Sequence, residues 1–487
     1  MAVTPYLFWL GLAEILFYVS GFIVQSAAGH ILGPTDYGIF GLIVTLTILI
    51  ASLIGNGIPI AMSKFLSGSL AKKPHLIPTI KRKAALAQFI LMGVVTAIFF
   101  FGAPVIAWIL RDPSLTPLLR ISAFIIPCFA ADAFYFYYYT GIHQFNMQSV
   151  LKSFRSFLRV TLIVGLGYFL SLQGFITGYI YVPLSVFILA LIIDNLVYAK
   201  KFPKTPVGSF STKKLLLYAA PITGFLVLYQ AMVSLNLFTV KAILQNNYLT
   251  GLFNGALTVA QIPSYLFYAL TIVLLPIISH AVAEKNHQKA TEAVNMALRM
   301  MTILLVPVIA LSIGFAGPLL AFFFGAPFAA GASALRFLAF GIGLLTLFYV
   351  MSFAFQGAGL VKPPLKIAFW GMLLNGLLNL ALIKPLGLIG SGLATCITAF
   401  FVLTALFYYL RKDFSAGLKL KTAAKIFFSG MLIFTISLFL PGNHLLFIPF
   451  GGLLFLMYFG ILYLLKEFGS ADLQLLKEMI PGRKKAS

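Results

Sequence analysis

Acidic side chains are scarce in this sequence. Its 487 residues include only 11 aspartates and glutamates, against 34 lysines and arginines, and only 9% of all residues are charged. Soluble domains carry about 25% charged residues, so the composition excludes a soluble globular protein. With 61% hydrophobic residues and a mean hydropathy of +1.02, the sequence predicts a polytopic membrane protein.

Cysteines and recognisable catalytic motifs are equally sparse. The two cysteines, Cys128 and Cys396, lie in apolar runs and predict neither a disulfide framework nor a metal site. The sequence contains no Walker A, HEXXH or GXSXG motif and no Cys/His cluster, which argues against ATP hydrolysis and against hydrolase chemistry. We therefore expect no enzymatic activity, no metal and no cofactor, with H⁺ or Na⁺ coupling as the open alternative.

Long apolar runs fill most of the chain instead. A helix needs about 20 apolar residues to cross a bilayer, and on that basis the sequence predicts an all-α protein with about 14 membrane-spanning helices. The two longest runs contain Pro276 and Pro307 without charged breaks, so each is predicted to form one long helix. The predicted spans are 6–30, 38–63, 84–108, 118–142, 148–170, 174–198, 215–243, 249–282, 291–324, 333–356, 365–385, 389–410, 422–441 and 444–466.

Basic residues predict the orientation of the chain. If the N-terminus is cytoplasmic, all but five of the 34 lysines and arginines fall on the cytoplasmic side, as the positive-inside rule requires. Topology and anionic membrane lipids then explain the net charge of +23 without a nucleic-acid partner. We expect a multi-pass protein of the cytoplasmic (inner) membrane with both termini in the cytoplasm. The five exceptions are Arg111, Arg120, Lys241, Arg336 and Lys384.

A weak internal repeat suggests two related halves. Segments 28–63 and 240–279 each contain a short polar turn followed by a glycine that opens the next helix, Gly38 and Gly251. Parallel repeats of this kind predict two pseudo-symmetric lobes that enclose a cavity and work by alternating access. The predicted domains are a six-helix lobe at 1–205, a second at 206–412, and two appended helices with a cytoplasmic tail at 413–487.

Polar side chains recur at helical spacing in four of the predicted spans. In the first span, Glu14, Tyr18 and Gln25 fall on one face of the helix, together with Gly21. Comparable faces carry Asn56 in the second span, Gln230, Ser234 and Lys241 in the seventh, and Asn254 and Gln261 in the eighth. We expect these faces to line a wet cavity between the lobes, because a charge in hydrocarbon costs about 2.5–3.5 kcal/mol on insertion scales.

Ionisable residues inside spans are candidates for function, and each also has a structural alternative. Glu14 is interpreted as a cavity residue that couples a cation or proton or meets a substrate hydroxyl. Lys64 and Lys241 either contact substrate or anchor helix ends at the membrane interface. Asp132 is either a proton site or the partner of a buried amide or cation.

Two further features of the first half have competing interpretations. Arg155 and Arg159 are spaced i, i+4 and form either a fork for a diphosphate or cytoplasmic anchors, of which anchoring is the simpler explanation. The run FYFYYY (134–139) is interpreted as an aromatic belt at the membrane interface, with sugar stacking as the alternative.

Several glycine- and proline-containing motifs resemble those of polysaccharide-biosynthesis flippases in the multidrug/oligosaccharidyl-lipid/polysaccharide exporter superfamily. The motifs are GPTDYGIFGL (33–42), GNGIPIAMSKF (55–65), GIHQF (141–145), FQGAGLVKPPLK (355–366) and NGLLNLALIKPLGLIGSGLATCIT (375–398). The resemblance covers nearly the whole chain and implies a two-lobe bundle of 14 helices. It also implies transfer of a polyprenyl-diphosphate-linked oligosaccharide from the inner to the outer leaflet, for cell-surface polysaccharide or glycan synthesis.

The resemblance also indicates partners and leaves alternatives open. It implies a lipid-linked glycan substrate, surrounding membrane lipids, and a glycan polymerase or glycosyltransferase as possible partners. Relatives that flip lipid II carry cavity arginines in the first lobe, whereas here the first span has none and the second ends in Lys64. Relatives that expel drugs often use an acidic residue in the first helix, so Glu14 leaves a cation-coupled antiporter open.

Overall fold

Helices make up nearly all of the chain that can be described. The computed structural model describes residues 4–70, 73–202, 210–265, 267, 278–279, 281–282, 284, 286–441 and 445–469, and no strand occurs among them. The helices are α1 (Thr4–Gly55), α2 (Gly57–Leu70), α3 (Ile77–Ile109), α4 (Thr116–Ser122), α5 (Ile125–Gly141), α6 (Phe145–Leu158), α7 (Val164–Ile193), α8 (Thr212–Leu244), α9 (Asn247–Ala260), α10 (His287–Gly314), α11 (Ala316–Phe324), α12 (Ala332–Gly357), α13 (Lys362–Leu386), α14 (Leu388–Phe414), α15 (Leu420–Leu438) and α16 (Phe447–Leu464).

Two of these helices contain sharp breaks that divide them into separate spans. α1 has 52 residues, and at about 1.5 Å per residue an unbroken helix of that length would far exceed the bilayer core. Gly33 interrupts it with φ 66° and ψ 174°, a conformation that favours glycine, directly before Pro34. In α7, Ser171 adopts φ 49° and ψ −132° and breaks the helix in the same way.

Membrane-spanning segments account for most of the described chain. Eleven segments of the described chain are long and apolar enough to cross a membrane. Two of them, Gly11–Leu70 and Phe145–Tyr198, have 60 and 54 residues and are each long enough to cross twice. The predicted eighth span, 249–282, lies partly outside the described residues. The protein is therefore a polytopic all-α membrane protein, as predicted.

The predicted continuity of the ninth span is wrong. The run 291–324 forms two helices, because α10 ends at Gly314 and α11 begins at Ala316. The break is at Phe315, with φ −101° and ψ 28°, whereas Pro307 lies inside α10 without interrupting it. The apolar pattern continues across this break, so hydropathy alone gives no sign of it.

The chain packs as two compact units, which are described separately below. Unit 1 comprises residues 1–32 and 39–230, and unit 2 comprises residues 33–38 and 231–487. This division lies inside α8, whereas the predicted lobes meet at 205–206. Compact packing and an internal repeat are different properties of a chain, so the predicted lobe limits stay a prediction.

An aromatic core fills unit 1. Its centre is the run 134–139 on α5, which packs against side chains of α2, α3 and α7. The interpretation of this run as a belt at the membrane interface is wrong, since five of its six side chains are at most 6% exposed. The five are Phe134, Tyr135, Phe136, Tyr138 and Tyr139. Tyr139 also donates a hydrogen bond to the backbone oxygen of Ala190 at 2.9 Å.

In unit 2, the segment 33–38 packs closely against the start of α9. A Cβ atom on Gly251 would lie 1.7 Å from the backbone oxygen of Pro34, and one on Gly38 would lie 2.3 Å from that of Asn247. Only glycines allow the two backbones to approach this closely. The two glycines that occupy matching positions in the predicted repeat therefore lie against each other.

Candidate functional site

Three basic side chains lie on one face of α6 and the turn that follows it. Lys152, Arg155 and Arg159 are spaced i, i+3 and i+7, which places them on a single helical face. α6 ends at Leu158, and Arg159 opens a π-helical turn that leads into α7. These cations contact the N-terminal part of α1 and the middle of α5, all within unit 1.

Glu14, the carboxylate predicted to line a cavity, forms an ion pair with Lys152. The two side chains are 20% and 18% exposed, so the pair is neither sealed in the interior nor fully open. A charge-assisted hydrogen bond of this kind offsets much of the cost of placing a carboxylate in a membrane helix. The cation that supports Glu14 comes from a helix far along the chain.

Asp132 forms the second ion pair of the site, with Arg155. Nη1 of Arg155 lies 3.1 Å from Oδ2 of Asp132, whose side chain is 0% exposed. The Arg155 guanidinium also lies 4.9 Å from the ring centroid of Phe129 and 5.1 Å from that of Phe17, which adds cation–π attraction. Of the alternatives left open for Asp132, the structure shows the partner of a buried cation, and Arg155 is not a headgroup anchor.

Arg159 occupies a space that Gly21 leaves on α1. A Cβ atom on Gly21 would lie 2.7 Å from Nη1 of Arg159, so a larger residue there would displace the guanidinium. The same guanidinium lies 5.0 Å from the Phe17 ring centroid and 5.7 Å from that of Tyr179. Two members of the predicted stripe on α1, Glu14 and Gly21, thus face the cations of α6.

The resulting cluster contains three cations and two carboxylates. We call it the ion-pair cluster, defined as Glu14, Asp132, Lys152, Arg155 and Arg159. Lys152 is the member that the sequence does not mark as a site residue, because the positive-inside rule alone explains its charge. The i, i+3, i+7 spacing of the three basic residues was the available signal.

The remaining predicted residues of unit 1 lie elsewhere along its helices. Tyr18 and Gln25 are partly buried on α1, and Asn56 lies in the turn between α1 and α2. Lys64 is exposed on α2, and Gln230 is exposed on α8. Their proposed contact with substrate stays a prediction.

The predicted residues of unit 2 make local contacts. Lys241 is 2% exposed and donates a hydrogen bond to the side chain of Asn247, so its ammonium group is held inside the protein. Ser234 and Asn254 are 2% and 4% exposed. Gln261 accepts a hydrogen bond from the hydroxyl of Tyr265 at 2.9 Å. A substrate role for these residues also stays a prediction.

A buried amide network in unit 2 was not predicted. Nδ2 of Asn379 donates to Oδ1 of Asn236 at 2.8 Å, and Ser391 donates to Oδ1 of Asn379 at 2.7 Å. Asn375 lies one turn before Asn379 and accepts from it, and all four side chains are fully buried. The motif at 375–398, which carries part of the family resemblance, contains three of these four residues. The sequence therefore contained the polar residues of the network but did not show which of them contact each other. Networks of this kind join membrane helices to each other.

No cluster of metal-binding side chains occurs within the described ranges. That part of the chain contains no group of three or more histidine, cysteine, aspartate or glutamate residues able to hold a metal ion. The ion-pair cluster instead offers charge-assisted hydrogen bonds, which suit a polar anion such as a phosphate or diphosphate.

Comparison with known proteins identifies related sequences. A family model described as polysaccharide biosynthesis protein matches residues 6–282, and one described as MatE matches residues 221–381. The uncharacterized membrane protein YabM of Bacillus subtilis (strain 168) is 24% identical over 426 residues, which cover 83% of this chain and 79% of that protein. Stage V sporulation protein B of the same organism is 24% identical over 311 residues, or 58% of each chain.

Solved structures share the fold. The lipid II flippase MurJ in an inward closed conformation matches with a TM-score of 0.74 over 93% of this chain and 98% of that chain. An inward-facing multidrug resistance MATE family transporter of the MOP superfamily matches with a TM-score of 0.66 over 82% of this chain and 95% of that chain. The sequence identities are 17% and 18%, so these structures establish the fold and leave the substrate open.

Proposed function

This chain belongs to the polysaccharide biosynthesis protein family, and we propose that it is a flippase for a polyprenyl-diphosphate-linked oligosaccharide. It would move the glycan headgroup from the cytoplasmic to the outer leaflet by alternating access, for cell-surface polysaccharide or glycan synthesis. The observation that carries the proposal is the ion-pair cluster, in which two ion pairs and a third cation, Arg159, lie together inside a membrane protein.

The physical problem in flipping is the headgroup. Sugars and a diphosphate cannot cross hydrocarbon without large desolvation costs, whereas a prenyl chain can remain in it. Three cations against two carboxylates leave an excess of positive charge that a diphosphate complements. Arg155 and Arg159 are suited to this role because a guanidinium binds phosphate oxygens in a fixed, bidentate geometry.

We further propose that the diphosphate exchanges with the carboxylates. On binding, its oxygens would replace Glu14 and Asp132 as partners of Lys152 and Arg155, and a proton or cation would neutralise the released carboxylates. Release of the headgroup would restore both ion pairs. Such an exchange supplies the difference in affinity between two conformations that a ligand needs in order to shift their equilibrium.

The experiment is a flipping assay on the purified full-length protein in vesicles. A fluorescent lipid-linked oligosaccharide is placed in one leaflet, and its transfer is followed with a membrane-impermeant quencher. We expect the wild-type protein to accelerate transfer and Glu14→Gln to reduce the rate about tenfold or more, because the exchange loses one charged partner. Lys289→Gln is the matched control, since it removes a charge from an exposed ion pair with Glu284.

Two results would contradict the proposal. A wild-type protein that leaves transfer at the protein-free rate would exclude the flippase activity for that glycan class. A Glu14→Gln variant that transfers at the wild-type rate would remove Glu14 and the carboxylate exchange from the mechanism. Lipid II carried through the same assay tests the narrower alternative of a lipid II flippase.

A cation-coupled antiporter of drugs or metabolites is the second candidate. It is favoured by the acidic residue on the first helix, Glu14, and by the match of the MatE family model to residues 221–381. This candidate predicts that an H⁺ or Na⁺ gradient drives uptake of soluble organic cations into vesicles. It also predicts that transport does not depend on a prenyl chain.

A further inference from the structure

Unit 1 has a second feature that the ion-pair cluster does not include, an apolar groove between α3, α5 and α7. Its cavity volume is about 630 Å³, within the usual range of about 300–1,000 Å³ for ligand sites. Nearly all of its lining is carbon. Its polar side chains are Lys81, Gln88, Thr96 and Tyr135.

The groove has a buried floor and an exposed rim. Met92, Ala130 and Phe134 form part of the floor and are 3%, 1% and 6% exposed. On the rim, Phe89 and Phe101 are 78% and 76% exposed. In a membrane protein such exposed aromatic side chains face hydrocarbon, so the groove is open sideways to lipid.

Glycine keeps the groove open at its middle. A Cβ atom on Gly93 would meet no heavy atom within 4 Å, although the residue lies inside a regular helix among large side chains. A glycine in a helix interior costs about 0.5–1 kcal/mol relative to alanine. Its presence here leaves room for a hydrocarbon chain to lie across α3.

The length of the groove matches a long chain. Its lining on α3 runs from Lys81 to Phe101, and 20 residues of helix extend about 30 Å. That is about the full thickness of the hydrocarbon core. A phospholipid acyl chain occupies only one leaflet, so a single chain that fills this groove must be longer.

Cations lie at both ends of this groove. At one end Lys81 forms an ion pair with Asp194, whose side chain is 1% exposed. Nζ of Lys81 also lies 4.2 Å from the ring centroid of Tyr138. Near the other end the guanidinium of Arg120 lies 5.6 Å from the ring centroid of Phe100. An anionic headgroup attached to a chain in the groove would therefore meet positive charge at either end.

We propose that this groove binds the prenyl chain of the lipid-linked substrate. The inference rests on the proposed function, which supplies a single long chain and a charged phosphate group. It assigns the groove on α3, α5 and α7 to the hydrocarbon part of the substrate and the ion-pair cluster to the diphosphate.

The test is photolabelling of the purified full-length protein in nanodiscs by a polyprenyl diphosphate that carries a diazirine on its chain. We expect peptides from α3, α5 and α7 to be labelled and Gly93→Leu to reduce that labelling about tenfold. If the leucine side chain displaces about two methylene groups of the prenyl chain from the groove, the loss of their burial lowers the affinity by about tenfold. Gly102→Leu is the matched control, because Gly102 also has free space around its Cβ position and lies about 180° away on α3.

The outcomes separate this inference from the proposed function. Competition by excess unlabelled polyprenyl phosphate, but not by phosphatidylglycerol, supports a site for the prenyl chain. Equal competition by phosphatidylglycerol, labelling confined to other helices, or equal labelling of Gly93→Leu and wild type would each overturn it. Labelling requires no transport. If the wild type flips glycan lipids and the groove is not labelled, only the groove assignment fails; if the groove is labelled and nothing is flipped, the proposed function fails.

Discussion

Two side chains, Asp132 and Arg155, show how a membrane bundle accommodates opposite charges. Asp132 is fully buried, and the Arg155 guanidinium is also surrounded by aromatic rings. Together they form a compensated pair, but each alone would be a buried charge without a counterion. Removing either member alone would therefore destabilise the fold, because it would leave the other as an uncompensated buried charge.

Neutralising Arg155 alone should destabilise the protein strongly. We expect Arg155→Gln to cost about 3–5 kcal/mol, because it leaves the Asp132 carboxylate buried and unpaired. The double variant Asp132→Asn/Arg155→Gln should recover much of that loss. Thermal unfolding of the purified variants in detergent measures both effects. A double variant less stable than Arg155→Gln would show that the two charges do not compensate each other.

Single residues were only partly predictable. Helical spacing identified Glu14, Arg155 and Arg159, because spacing depends on sequence alone. It did not identify their partners, since Lys152 and Asp132 reach them through tertiary packing of α1, α5 and α6. Aromatic residues at 134–139 were assigned to the interface because composition cannot distinguish a lipid-facing ring from a core ring.

At the level of elements, the start of α9 is a point of close backbone approach. The segment 33–38 lies on this helix start with its backbone almost in contact, and glycine is required on both sides. Tyr37, in the same segment, packs against two further aromatic residues of unit 2. Its ring centroid lies 5.4 Å from those of Phe324 and Phe328.

An alanine at position 251 should disrupt this contact. Gly251→Ala places a Cβ atom 1.7 Å from the backbone oxygen of Pro34, so the two elements must separate. We expect a loss of stability of at least about 1–3 kcal/mol, the usual cost of overpacking. Gly68→Ala is the control, because nothing lies within 4 Å of its Cβ position on α2. Unfolding temperatures that are equal for the two variants would contradict the close approach.

Whole helices were predicted better than their interruptions. Hydropathy predicted the membrane-spanning runs because a bilayer selects for their length and apolar character. It did not predict the breaks at Phe315 or between α4 and α5, since apolar side chains continue through both. Gly33–Pro34 was recognisable as a turn, because this dipeptide combines a residue tolerant of positive φ with a helix-breaking one.

For the molecule as a whole, the distribution of basic residues predicts which ends of the helices face the cytoplasm. Single cysteines in place of His75 and Ser114, both exposed between helices, test this directly after Cys128 and Cys396 are replaced by alanine. In intact cells we expect a membrane-impermeant maleimide to label position 114 and not position 75. Labelling of position 75 alone would show that the chain has the opposite orientation in the membrane. Labelling of both positions would show that the chain does not adopt a single orientation.

The placement of residues 33–38 in unit 2 has a consequence for biosynthesis. The helix start that receives these residues, at Asn247–Gly251, is made more than 200 residues after them. At about 5–20 residues per second, the wait lasts on the order of 10–40 s. During that time segment 33–38 has no docking surface, so the nascent chain depends on the insertion machinery or surrounding lipid to shield it until residues 247–251 have been made.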